Sequence, residues 1–395
     1  MFWTTEEISM PVIESQRAAF AIPADVAYFN CAYMSPLANR VVAVGERAVG
    51  AKARPWEITP EDFFGDVETA RRRFAALIGA DPECVAIAPS ASYGLSTAAH
   101  NLPVSRGQRI VVLAEQFPSN VYPWRELAAR AGATLDVVPR PDVGQWTDAV
   151  IERIGPQVAV VALAHCHWTD GRMVDLQAVG ERCRDTGTAL VLDLTQSLGA
   201  MPFDCARVQP DFAACASYKW LLGPYSLGFT YVAPHWHDGA PLEHSWLGRE
   251  GAEDFARLVD YRDGFASGAR RYDVGERSNF ALLPMLNESL AMLLDWGVDN
   301  IAQTLAARTD AIARAAQALG AGALARPVRA PHFLGLTLPQ ALDSTQIDAV
   351  ARALARDGVF VSVRGRSLRV TPHLYNSDED VDRLMHSLAR ALPRT

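Results

Sequence analysis

Between about residues 82 and 232 the chain alternates short apolar runs with stretches of helical spacing. Residues 109–114, Thr134–Val138, Val158–Ala164, Ala189–Asp193 and Phe212–Ala216 are largely apolar over strand length, which predicts strands buried on both faces. The segments between them have legible helix ends. Residues 123–131 open on Pro123 and stop at Gly132, and residues 175–186 stop at Gly187. Strand–helix alternation of this kind predicts an α/β fold with a mostly parallel sheet covered on both faces, and ligands in such sheets bind beyond the carboxyl ends of the strands.

Past residue 279 the pattern changes. Residues 280–294 read as a long connecting helix, 303–319 and Ser344–Arg356 as further helices, and 332–337, 358–363 and 367–371 as strands. This is the pattern of a small α+β unit. At 395 residues the chain exceeds what one core holds. The expected division is an N-terminal arm (1–24), a large domain (25–278) and a small C-terminal domain (279–395). There is no internal repeat or low-complexity tract.

Composition narrows the partners. The longest apolar runs, such as Val158–Ala164, are far too short to span a bilayer. A net charge of −8 argues against nucleic acid or an anionic membrane as a general partner. The first ten residues carry Glu6 and Glu7 and no basic patch followed by an apolar stretch, so no export signal is expected. Six scattered cysteines, with no CxxC pair, read as reduced thiols of a cytoplasmic protein.

The basic residues are lopsided. Of 37, only Lys52 and Lys219 are lysines. Arginine serves wherever a fixed charge suffices, whereas an amine that must lose its proton and attack a carbonyl has to be lysine. Lys52 follows the helical stretch 41–51 and reads as a solvated side chain. Lys219 lies between apolar segments, where a surface lysine would be out of place. Asp193 ends a predicted strand 26 positions earlier. Its carboxylate is either a cap or ion-pair member, or an anion held at the sheet's carboxyl edge. Ser90, Ala91 and Ser92 follow the apolar Val85–Ala88 and precede a helical run beginning near Tyr93, a place where backbone N–H groups and hydroxyls meet a phosphate. An amine, a carboxylate and a phosphate cradle are three requirements of a pyridoxal-phosphate site.

The motif Asp193, Gln196, Gly199, Pro202, Asp204, then Asp211-Phe212 and Ser217-Tyr218-Lys219, resembles the D-x-x-Q-x-x-G-x-x-P-x-D, D-F and lysine pattern of class V aminotransferases. These fold-type-I enzymes include cysteine desulfurases, kynureninases and isopenicillin N epimerase-like proteins. The resemblance runs from Tyr28-Phe29-Asn30 through Tyr375-Asn376, and is most specific over residues 193–224. It implies that Lys219 carries pyridoxal 5'-phosphate as a Schiff base and shuttles protons, that Asp193 pairs with the pyridine nitrogen, and that Gln196 bonds the ring oxygen. Ala91, Ser92, Ser217 and Tyr218 would hold the phosphate end. Phe117 matches the aromatic residue that stacks on the ring, and Trp168 falls at a position that meets the cofactor in the family. Asn30 falls in a stretch that lines such sites, and Arg369 matches the arginine that clamps a substrate carboxylate; Arg364 either assists it or is solvated. The family's sites are built at a symmetric dimer interface, with residues 265–278 resembling the crossing segment.

Three departures matter. Four residues, none a cysteine, separate Arg364 from Arg369, where desulfurases carry a long loop with their persulfide-forming thiol. Trp168 stands where desulfurases have asparagine. Gly275-Glu276-Arg277-Ser278 replaces a G-T-P-N whose threonine reaches the neighbouring subunit's phosphate. His165-Cys166-His167 is not expected to bind metal, because neighbours on an extended chain point to opposite sides and no fourth ligand is evident. The expected activity is transamination or a kynureninase-like or C–S β-lyase reaction on a small amino acid. The alternatives are amino-acid epimerisation and a non-catalytic pyridoxal-phosphate-binding regulator.

Overall fold

The computed structural model describes residues 13–339 and 342–392. Residues 1–12 of the expected arm and the last three residues of the expected small domain lie outside them.

Seven strands form the central sheet: β1 (Val85–Ala88), β2 (Arg109–Leu113), β3 (Thr134–Val138), β4 (Val158–Ala164), β5 (Ala189–Asp193), β6 (Phe212–Ala216) and β7 (Gly228–Val232). Their order is β1-β7-β6-β5-β4-β2-β3. All neighbouring pairs are parallel except those of β7, which runs antiparallel to both β1 and β6. The sheet is therefore mostly parallel, as the alternation predicts. The register sets Ala164 beside Asp193 and Asp193 beside Ala214, so β4, β5 and β6 end together at one edge.

Both faces are covered. On one, the helix Gly65–Ile78 lays Phe74 flat on Phe229, ring centroids 4.1 Å apart at 14°. On the other, the helix Ala91–Asn101 comes so close that a Cβ on Gly94 would stand 2.4 Å from Thr230 Oγ1 and 3.0 Å from Ala214 Cβ. Burying each large side chain such as Phe74 contributes about 1.5–3 kcal/mol. The helices end where the sequence predicts: Tyr122–Ala131 stops at Gly132 and Leu176–Thr186 at Gly187, both glycines left-handed at φ +67°. The Asp175 carboxylate opens the second, accepting from the N–H groups of Gln177 and Ala178.

Beyond the central sheet run the helices Leu282–Trp296, Val298–Gln317, Ser344–Arg356 and Asp378–Ala391. A four-stranded antiparallel sheet orders Ser362–Arg364, Ser367–Val370, Leu334–Thr337 and Gly322–Ala323. The run 358–363 is not one strand. Val359–Phe360 leaves to pair in parallel with Ala27–Tyr28, and only Ser362–Arg364 joins the small sheet. Ala27 and Phe29 pack in one cluster with Leu334, Val359, Leu368 and Val370.

Candidate active site

A cavity of about 200 Å³ opens at the carboxyl edge of β4, β5 and β6, lined by Ala164, Asp193 and Ala216 from the strand ends. Ser90, Ala91 and Ser92 close one end of it. Ser90 caps the 11-residue helix Ala91–Asn101 by accepting from the Tyr93 N–H at 3.2 Å, and its hydroxyl meets that of Ser92 at 2.8 Å. A helix N-terminus with two hydroxyls suits a phosphate.

Lys219 and Asp193 face this space, and both are buried. Burial pushes the Lys219 amine down from 10.5 to about 8; Asp193 opposes the shift, and the positive charge of Arg369 adds to it. The Asp193 carboxyl is raised by burial, with the Thr195 hydrogen bonds and Lys219 pulling it back. Among the described residues no carboxylate makes an ion pair with Lys219, so its amine gives up its proton far more readily than an ordinary lysine, as attack on a carbonyl requires.

The Gln196 amide is held at both ends. Its Oε1 accepts from the Trp220 indole N–H at 3.0 Å, and its Nε2 donates to the Ala32 carbonyl at 3.1 Å. An indole only donates and a carbonyl only accepts, so the amide cannot be flipped. One N–H of Nε2 is left for whatever occupies the cavity.

Phe117 and Trp168 form the aromatic side, their rings 5.5 Å apart at 81°, and Lys219 Nζ lies 5.3 Å from the Phe117 centroid. Their loops are fastened together. Trp168 Nε1 donates to the Glu115 carbonyl at 2.7 Å, and the Arg140 guanidinium pairs with Glu115 at 2.7 Å and Asp170 at 2.6 Å. Glu115 takes φ +55° and Ser226, also in the lining, φ +70°. Such strained backbone in non-glycine residues persists where surrounding contacts hold it.

Of the residues singled out in the sequence, Ala91, Ser92, Phe117, Trp168, Asp193, Gln196, Tyr218 and Lys219 converge on the cavity. Three do not line it. The Ser217 hydroxyl turns inward between the carbonyls of Pro224 and Leu227, with its one O–H to donate. Asn30 Oδ1 accepts from Ser362 Oγ at 2.6 Å. Arg369 is 1% exposed, with Nη1 on the Trp168 carbonyl at 3.0 Å and Nε unpartnered. Burial, with the like charge of Arg364, pushes its guanidinium down to about 9. Gln116, Asn120, His167, Tyr225 and Ser226, to which the sequence assigns no part in the site, also line the cavity. Gln116 Oε1 and Asn120 Nδ2 are buried without partners, as expected of walls shaped for a polar occupant. No cluster of three metal-ligating side chains occurs among the described residues. Nor is any helix among them long and apolar enough to cross a membrane.

A doubly covered sheet with β7 reversed, a buried lysine after β6 and a buried carboxylate ending β5 define a fold-type-I pyridoxal-phosphate enzyme. The chain belongs to the class V aminotransferase family, whose model matches residues 59–384, and the family's cofactor is pyridoxal 5'-phosphate. An uncharacterized aminotransferase, YcbU of Bacillus subtilis, is 28% identical over 82% of this chain and 83% of its own. Kynureninase of Pseudomonas fluorescens is 31% identical over 73% of this chain and 68% of its own. Among solved structures, a cystine C–S lyase in complex with its product cysteine persulfide superposes with a TM-score of 0.83 at 20% identity, covering 93% of this chain and 98% of that one; this likeness concerns the fold.

Proposed function

We propose that this enzyme carries out transamination or Cβ-lyase chemistry on a small amino acid, with Lys219 as the residue that attaches the cofactor and moves the proton at the substrate α-carbon. The observation that carries the reading is one cavity lined by the buried Lys219 amine, the buried Asp193 carboxyl and the N-terminus of the helix Ala91–Asn101. When bound, pyridoxal phosphate supplies an electron sink for the pair released at the α-carbon. Asp193 would hold a proton on the pyridine nitrogen, and the spare N–H of Gln196 would donate to the ring oxygen. Ser90, Ala91 and Ser92 would hold the phosphate with Tyr218, and Phe117 would cover the ring face. Arg369 is a buried cation awaiting an anion, the requirement met by a substrate carboxylate.

Persulfide chemistry is disfavoured by the thiols. Cys31 and Cys166 are buried, their Sγ atoms lie against the backbone carbonyls of Lys219 and Gln196, and burial raises both thiols far above the reactive range. The holoenzyme should be incubated with a panel of amino acids and assayed for keto acid, pyruvate, alanine and inverted stereocentre. Keto acid or a side-chain cleavage product supports the reading. Racemised substrate alone would replace it with epimerisation, and no turnover of any amino acid would point to a binding protein.

A further inference from the structure

We infer that His332 is a positioning residue for the cofactor, acting through the main chain of Gln196; this rests on the reading above. His332 is buried in a segment that docks on the Trp168 loop: the Met173 N–H donates to the Val328 carbonyl, and the Ala330 N–H to the Gly171 carbonyl, each at 2.9 Å. From there its Nε2 meets the Gln196 carbonyl at 2.6 Å. A carbonyl can only accept, so Nε2 carries the proton and Nδ1, which is buried without a partner, is the bare nitrogen. The imidazole also stands edge-on to Trp220, centroids 4.3 Å apart at 81°. Trp220 is the residue that holds Gln196 Oε1. One histidine thus fixes Gln196 twice, directly through its carbonyl and indirectly by bracing the indole that orients its amide.

The position has a second consequence. Phe333, the next residue, lies under the Arg369 guanidinium at 5.7 Å, and the strand Leu334–Thr337 pairs Gly335 with Arg369. The His332-Phe333 pair therefore joins Arg369 to the residue that faces the cofactor's ring oxygen. A carboxylate arriving at Arg369 and the placing of the Gln196 N–H are linked through two adjacent side chains.

The test compares His332→Gln, His332→Asn and His332→Leu in holoenzyme. Glutamine's amide nitrogen reaches the place of Nε2 and can still donate to Gln196; asparagine's stops near Nδ1, and leucine has no donor. The readouts are the pH midpoint of the cofactor's absorption band, kcat and KM, and the melting temperature of the apo-protein. Weakening the Gln196 contact makes the ring oxygen's anionic form less favourable. The midpoint should then rise by about one pH unit in the Leu and Asn variants, with kcat down about tenfold and KM within about threefold, each the effect of losing one hydrogen bond. His332→Gln should restore both values. Equal midpoints in wild type and His332→Leu overturn the inference, as does an Asn variant that matches the Gln variant. If the Leu variant fails to fold, the Gln–Asn pair decides alone; failure of both to fold assigns His332 to stability and overturns it too. Wild-type protein that takes up no pyridoxal phosphate overturns the proposed function as well, and is told apart by the missing band.

Discussion

Lys219 sits in a site that makes its charge costly, and that cost sets a pH signature. Its folded value, about 8, lies below the ordinary 10.5, so the folded apo-protein holds fewer protons than the unfolded chain between those values. Apo-protein stability from this group should rise as pH climbs from 8 to 10.5 and be lowest below 8. Capture of pyridoxal phosphate needs the neutral amine, so its rate should rise through a midpoint near 8, followed by appearance of the yellow band in stopped flow. A midpoint near 10.5 would mean that the amine is not desolvated. Borohydride should fix the cofactor to Lys219 and leave Lys52, which is exposed at the end of the helix Asn39–Lys52, untouched. Arg369 presents the same physics with the opposite use. Its charge is buried with no carboxylate in ion-pair distance among the described residues. Arg369→Met should therefore raise the apo-protein's melting temperature while lowering kcat/KM for the amino-acid substrate by about 10–100-fold, the worth of one or two charge-assisted hydrogen bonds at about 1.5–3 kcal/mol. Unchanged kinetics would remove Arg369 from the substrate site. Neither Cys31→Ala nor Cys166→Ala should cost more than about tenfold in turnover, a barrier change of no more than ~1.4 kcal/mol, and cysteine should leave no persulfide on either thiol by mass spectrometry.

At the scale of elements, what could be read from sequence is what local pattern dictates. Thr134–Val138, Val158–Ala164, Ala189–Asp193 and Phe212–Ala216 have the ends that their apolar runs predict, and so does the helix Ser344–Arg356, opened by a reciprocal Asp343–Gln346 cap. Lys219 and Asp193 stood out because lysine is so rare here and a strand ends on a carboxylate. The misses are elements whose partners are distant. Gly228–Val232 has the composition of a strand, but its place between β1 and β6, reversed, follows from pairing across more than a hundred residues. The run 358–363 has one pattern and two destinations, because Ala27–Tyr28 competes for its first half. The apolar run 332–337 predicts a strand starting at His332, yet the strand begins at Leu334 and the histidine turns toward Gln196. Tyr225 and Ser226 reach the cavity on a loop in which Ser226 takes a positive φ, which no periodicity announces. Gly94 gives an element-scale prediction. It lets the helix Ala91–Asn101 seat against Ala214 and Thr230, and so sets the height above the sheet of the N-terminus proposed to hold the phosphate. Gly94→Ala should cost about 1–3 kcal/mol through overpacking, despite alanine's better helix propensity. It should also weaken retention of pyridoxal phosphate, measured by dialysis and absorbance. A gain in stability would show that the helix can lift without penalty.

At the scale of the whole molecule, several large apolar side chains are exposed, some of them at the cavity. Tyr225, at 60% exposed, and the exposed Phe117 line the cavity itself, and the exposed Tyr33 lies near Tyr218 of the same lining. Farther along the chain, Val259 is 79% and Tyr261 94% exposed, just ahead of the segment 265–278 whose resemblance to a subunit-crossing stretch was noted in the sequence. Exposed apolar groups gathered this way mark interaction surfaces, and a two-fold contact would cover the same patch on both copies. The enzyme should therefore be a symmetric dimer in which each copy helps roof the other's cavity. Light scattering of the holoenzyme should give about twice the 43.0 kDa chain mass. Because only the dimer would shield the cofactor, dilution through the dissociation range should release pyridoxal phosphate and activity together, and Tyr261→Asp with Val259→Asp should move that range to higher concentration. Glu276, exposed within the stretch that resembles a crossing segment, sharpens the expectation, since a carboxylate facing a partner's phosphate would repel it. Glu276→Gln should then tighten cofactor binding in the dimer and leave a forced monomer unchanged. A monomer that keeps its cofactor and full activity at every concentration would refute the shared roof.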